Sequence, residues 1–87
     1  MLVIEVADTS LSHDRDRKGS MYARAGIADY WIVNLPEGCI EVYRDPAPSD
    51  EALCGWSYST ILKYVPGQYL APLAASKKII AVADLLP

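Results

Sequence analysis

Histidine is nearly missing from this sequence and cysteine is scarce. His13 is the sole histidine, and the two cysteines, Cys39 and Cys54, lack CxxC spacing. That shortage of ligands argues against a zinc centre. A Cys39–Cys54 disulfide stays geometrically open, but two reduced thiols are the expectation for a cytoplasmic chain. Positive charge is also short: eight Lys and Arg stand against eleven Asp and Glu, for a net charge of −3. No global field draws such a chain to phosphates, so any contact with DNA has to be local. Apolar runs fall far below the roughly 20 residues of a membrane helix, and no basic leader precedes a hydrophobic segment. The expectation is a cytoplasmic protein with no membrane partner. Internal repeats and low-complexity tracts are absent as well.

What remains is a globular composition, 52% hydrophobic and 22% charged over 87 residues, which allows one domain or less and a modest core. Leu2 to Ala7 (LVIEVA) is short, apolar and β-branched, which predicts a strand buried on both faces. Asp8, Thr9, Ser10 and Ser12 then offer helix caps. From Asp14 to Ala25 a helix is predicted, with Lys18, Met21, Tyr22 and Ala25 on its inward stripe and Gly26 as its stop. Asp14 and Asp16 complement the dipole of its first turn. Asp29–Val33 and Cys39–Tyr43 read as a hairpin around Leu35-Pro36-Glu37-Gly38. Residues 44–55 read as a loop because of Pro46, Pro48, Ser49 and Asp50. Trp56–Val65 is a third strand of this part, ended by Pro66-Gly67, and the tail holds a short strand at 78–82 and a last helical turn at 83–86.

Glu5 is the most informative position, a carboxylate inside an apolar strand that alternates with Val3 and Ala7 on one face. A buried carboxylate is neutralised, finds a cation or binds a metal; the plainer account is an edge strand whose glutamate faces water. Lys18 shares the predicted stripe of Tyr22, where it either snorkels to solvent or pairs with Glu5. A carboxylate and a lysine beside a metal are what phosphodiester hydrolysis requires. Magnesium usually calls for a second acid, for which Asp8, Asp14 and Asp16 are the local candidates, each also readable as a cap or a solvated charge. His13, Arg15, Arg17, Lys18 and Arg24 form a small basic cluster that could touch phosphate or simply face water. Tyr30 and Trp31 read as core aromatics.

The order of the segments VIEVADTSL, DRDRKGSMYARAGIADYWIVN, IEVYRDP, PGQYLAPLA and VADLLP resembles the Uma-two family over essentially the whole chain. These are bacterial endonucleases of the restriction-endonuclease-like, PD-(D/E)XK superfamily. The resemblance implies an α/β fold, a restriction-endonuclease-like mixed sheet with a flanking helix, N-terminally truncated, forming one partial domain over residues 1–87. It implies that Glu5 is the strand glutamate of the motif and Lys18 its lysine, four residues before Tyr22, at a site for magnesium or manganese. The family pattern also places an aspartate, in a Pro-Asp step, a few residues upstream of that glutamate, where this chain has Leu2, Val3 and Ile4 after Met1.

Three functions follow as expectations. The first is a metal-dependent endonuclease acting on DNA, with Glu5 and Lys18 catalytic, Glu5 and Asp8 on the metal, and activity incomplete in the isolated chain. The second is a non-catalytic remnant that acts as an oligomerising interaction module. A nucleic-acid binder without catalysis is the third. An apolar strand with an open edge predicts either a homo-oligomer or association with an upstream fragment.

Overall fold

In a computed structural model that describes residues 1–9 and 13–87, the β-branched run at the start is strand β1, Leu2–Ala7. It lies parallel to β2, Asp29–Asn34, with Glu5 opposite Ile32 and Ala7 opposite Asn34. Two parallel neighbours need a crossover, and the helical segment between them supplies it. That segment is a π-helical turn, Asp14–Lys18, running into helix α1, Gly19–Arg24. Gly26 then takes a φ of 77°, a left-handed stop that costs glycine little. A turn over residues 35–38 joins β2 to antiparallel β3, Cys39–Pro48, which pairs in turn with β4, Trp56–Tyr64. The result is a four-stranded mixed sheet in the order β1-β2-β3-β4 with a flanking helix, the mixed α/β arrangement the resemblance implies.

The two faces of the sheet are covered differently. Helix α1 packs on β3 and β4, and beneath it Ala7, Ala23, Tyr30, Ile32, Tyr43 and Tyr58 are buried together. On the other face Trp31, Val33, Ile40 and Val42 are covered by the tail through Leu70 and Val82. The tail comprises strands β5, Tyr69–Leu70, and β6, Ile80–Ala81, a 3₁₀ turn at Leu73–Ala75, and helix α2, Val82–Leu85. Asp29, only 2% exposed, ties that tail down. Its carboxylate accepts from Trp31 Nε1 (2.7 Å), Arg44 Nε (3.0 Å) and the Leu73 backbone N–H (2.9 Å), while Arg44 also donates to the carbonyl of Ala71 (2.7 Å). Among the described residues no helix is long and apolar enough to cross a membrane.

Four expectations are corrected. β1 is not buried on both faces, because Ile4 and Val6 are 44% and 64% exposed; the tail covers β2 and β3, and on this face of β1 Leu2 packs against that cluster while Ile4 and Val6 stay open to solvent. The helix does not turn Met21 and Ala25 inward. Its buried residues are Gly19, Ser20 and Ala23, and Met21 is exposed, since the wider π turn shifts the helical phase and small residues let the helix settle close to the sheet. β3 runs to Pro48 instead of ending at Tyr43. Beyond Arg44 it has only β4 beside it, so Pro46 and Pro48 sit where no second ladder needs their missing N–H. Asp45, at a φ of 58°, interrupts the ladder. The fourth correction is small: the tail strand is Ile80–Ala81, shorter than 78–82, with a partner strand at Tyr69–Leu70. Ser10 and Ser12, two of the expected caps, lie outside the described residues. Cys39 and Cys54 are free thiols, as expected.

Four tyrosines, Tyr22 on the helix and three beneath it, pack together, and two of them, Tyr43 and Tyr58, make the core sensitive to alkaline pH. Tyr22, Tyr43 and Tyr58 surround Tyr30 at ring-centroid distances of 5.0, 5.7 and 6.2 Å, and the Tyr58 hydroxyl donates to the carbonyl of Ile27. Burial pushes the Tyr58 hydroxyl up to about 12, and the charge of Asp29 adds to the effect. Tyr43 is raised as well, by burial first and then by its hydrogen bond to Glu41. An unfolded tyrosine ionises at about 10. The stabilisation from the retained proton is therefore whole below pH about 10 and is lost as pH climbs towards the folded value. Urea denaturation at stepped alkaline pH is expected to show stability falling through this window, with a shallower fall in Tyr58→Phe. An identical slope in that variant would refute the assignment.

Candidate functional site

Alternation along β1 puts Val3, Glu5 and Ala7 on the helix-covered face, Val3 and Ala7 against the tyrosine core. Glu5 lies between them with its side chain 27% exposed, so a charged group remains in contact with water. The helical segment brings it two partners. Lys18 Nζ stands 3.2 Å from Glu5 Oε2, and the Tyr22 hydroxyl donates to Glu5 Oε1 at 2.9 Å. Lys18 and Tyr22 are four residues apart, the spacing that stacks side chains on one helical face. Among the described residues each carboxylate oxygen thus accepts one hydrogen bond and keeps lone-pair capacity for a further partner. The expected contact between the strand glutamate and the helix lysine is present. Tyr22, expected only as a packing residue, joins it.

The remaining candidates are more dispersed. Asp8 follows β1 with an exposed side chain, and Asp16, Arg17 and Arg24 are exposed on the helical segment, as is His13. Arg15, grouped in sequence with a phosphate-facing cluster, instead turns to the sheet. Its Nε donates to Glu41 Oε1 at 2.9 Å, and its terminal nitrogen reaches Glu41 Oε2. Glu41 also accepts from the Tyr43 hydroxyl (2.6 Å) and Asn34 Nδ2 (2.9 Å). Burial alone would raise this carboxyl, but the bonds from Arg15, Tyr43 and Asn34 together outweigh it and hold the group below the ordinary glutamate value. The Arg15 guanidinium is raised by the same pairing. Tyr30 and Trp31 are fully buried, the core aromatics they were expected to be.

Among the described residues, Glu37, Cys39 and Glu41 alone form a triad of metal-ligand types with closely spaced donor atoms. Positive charge already occupies it: Arg15 pairs with Glu41 and lies 3.7 Å from Glu37, and Lys63 lies 3.9 Å from Glu37. The Cys39 thiol is pushed up by burial, away from the thiolate that a soft metal takes. The triad is thus part of a compensated charge network. A cavity of about 580 Å³ between α1 and β4, lined by Tyr43, Leu53, Tyr58 and Ile61 among others, includes neither Glu5 nor Lys18. Its charged wall residues Arg15, Asp16 and Glu51 do not define one ligand chemistry.

Glu41 was not expected as a partner of the helix, although a signal for it existed. Ile4-Glu5-Val6 and Ile40-Glu41-Val42 are the same tripeptide, a glutamate flanked by β-branched residues inside a strand. The register puts both glutamates in one row across the sheet: Glu5 opposite Ile32, and Ile32 opposite Glu41. Each is met by a cation from the π-helical turn.

Residues 1–67 match the family model Uma2, described as a putative restriction endonuclease. The matched stretch contains β1 through β4 and the helical segment, hence Glu5, Lys18 and Tyr22. No curated protein matches the chain.

Proposed function

The chain belongs to the Uma2 family, and on that premise we propose that it is a metal-dependent endonuclease that hydrolyses DNA phosphodiester bonds beside Glu5. The observation that carries this reading is the pairing of a part-exposed strand carboxylate with an ammonium and a phenol. A surface position suits a polymer substrate better than an enclosed cavity does. Glu5 has the oxygen donors magnesium or manganese takes, and one or two carboxylates with waters suffice for such an ion. Glu5 would hold it, with Asp8 as second acid, and it would supply Lewis-acid charge and a more acidic bound water. Lys18 places a positive charge where a phosphoryl group develops negative charge. Tyr22 fixes the orientation of the Glu5 carboxylate by holding Oε1. The exposed His13, Arg17 and Arg24 give phosphate a local footing despite the acidic total.

Supercoiled plasmid incubated with the chain is expected to be nicked with Mg²⁺ or Mn²⁺ and not with chelator. The activity is expected to disappear in Glu5→Gln and Lys18→Ala. Absence of cleavage across divalent metals would reject the catalytic reading.

A second reading has its own observation. β1 pairs with β2 along one side, and Ile4 and Val6 expose apolar surface on the face the tail leaves uncovered. A bare strand of this kind is a template for another strand. On this reading the chain is a non-catalytic module that associates with a second copy through β1. Light scattering is expected to give a dimer that Val6→Lys dissociates; a monodisperse monomer of the unaltered chain counts against the association.

A further inference from the structure

The π-helical turn Asp14–Lys18 carries three cations, and two of them, Arg15 and Lys18, are each fastened to a glutamate of the same row of the sheet. Lys18 meets Glu5 on β1, and Arg15 meets Glu41 on β3 with two hydrogen bonds. The two glutamates are separated by Ile32, which is fully buried, and by two strand spacings, about 10 Å. The turn therefore straddles the central strand with one foot on each side. A π turn is wider than an α turn and is found mostly as a single turn inside helices, often at functional sites. It needs something outside the helix to hold its register, and a charged fork-to-carboxylate pair is a directional holder of that kind.

Resting on the catalytic reading above, we propose that Glu41 is a positioning residue. Through Arg15 it holds the π-helical register that aims the Lys18 ammonium at Glu5. The surroundings of Glu41 fit this role. It is 5% exposed, and Asn34 Nδ2 and the Tyr43 hydroxyl fix its two oxygens from the sheet side. These two bonds orient the carboxylate towards Arg15. Its own strand neighbour in the row, Lys63, bonds no oxygen of Glu41 and instead faces Glu37. Arg15 is thus the link between this buried anion and the helix.

The test is read at Lys18 itself and does not need turnover. Lysine labelled with ¹³C at Cε gives one signal per lysine, and Lys18 is identified by loss of its signal in Lys18→Arg. The displacement of that signal in Glu5→Gln calibrates loss of the Glu5 contact. Glu41→Gln and Arg15→Gln are each expected to move the Lys18 signal in the same direction, by at least half the calibrated displacement. Lys77 and Lys78, in the tail, are expected to keep theirs. Glu41→Asp, which keeps the charge, should return part of the displacement. The Arg15 side chain is 40% exposed and can reach water when its partner is removed, so Glu41→Gln keeps its fold even if Arg15→Gln, which strands the buried Glu41 carboxylate, does not. A Lys18 signal unmoved in folded Glu41→Gln overturns the proposal. In the cleavage assay the same variant should lose roughly 100-fold in kcat, the order expected for a small misplacement of a reacting group. If the unaltered chain cleaves nothing, the catalytic reading fails while the Lys18 signal still decides the positioning.

Discussion

Asp29→Ala is expected to cost about 3–5 kcal/mol, the scale for removing one partner of a buried ion pair. A chain of this size has a total stability of only about 4–13 kcal/mol, at roughly 0.05–0.15 kcal/mol per residue. The substitution strands three donors at once: the Arg44 guanidinium, the indole N–H of fully buried Trp31, and the backbone N–H of Leu73. Two of these hold different parts of the fold together, because Arg44 belongs to β3 and Leu73 to the tail. Urea denaturation followed by tryptophan emission should show the midpoint falling by roughly a quarter or more. Limited proteolysis should cut first within residues 71–87, where the Asp29 anchor on the Leu73 N–H has been lost. Adding Arg44→Met should recover part of the stability, since the uncompensated charge goes with it. A loss under 1 kcal/mol in Asp29→Ala would show that Asp29 is not what holds the tail.

Asp29 shows where sequence reasoning ran out. Its identity marks only the start of an aromatic strand, and its three partners lie 2, 15 and 44 positions away. No local pattern encodes such a set. β1 and the hairpin were legible because β-branched runs and a Pro-Glu-Gly turn act over a few residues. The helix was legible as a helix but not in phase, since an assumed period of 3.6 carries Lys18 to Met21 and Ala25. The π turn breaks that count, and small residues 19, 20 and 23 form the buried face instead. The far end of β3 was hidden by Pro46 and Pro48. Prolines there read as a loop until it is known that β2 has already ended opposite Arg44.

Of the candidate site, the pairing of Glu5 with Lys18 could be argued in advance: a carboxylate on an apolar strand and a lysine on an inward stripe both need a partner. The inward stripe was partly wrong, yet the contact was right, because Lys18 is long enough to reach the sheet from its position on the π turn. Tyr22 was placed against the core, and its hydroxyl donates to Glu5 Oε1. Glu41 needed the register as well as the sequence. Only the pairing of β1, β2 and β3 sets the second Ile-Glu-Val in line with the first.

Glu5→Gln and Lys18→Ala are expected to abolish cleavage while leaving the fold nearly intact, and the separation of the two effects follows from exposure. The Lys18–Glu5 pair is about one-third and one-quarter exposed, so water screens it and its contribution to stability is below about 1 kcal/mol. A charge aimed at a developing anion acts where solvent has been displaced by substrate, and removing one such group lowers kcat by about 10²–10³-fold. Glu5→Gln keeps the size of the side chain and its acceptor for Tyr22, so its loss isolates the charge. Groups that act as a unit are not additive, because once one is gone the other has nothing to assist. The double variant should therefore cleave no more slowly than the worse single variant, with thermal midpoints of all three within a few degrees of the unaltered chain. Losses that multiply in the double variant would mean that Glu5 and Lys18 serve separate steps. Unfolding of Glu5→Gln would mean that the strand carboxylate, for all its exposure, is a structural group.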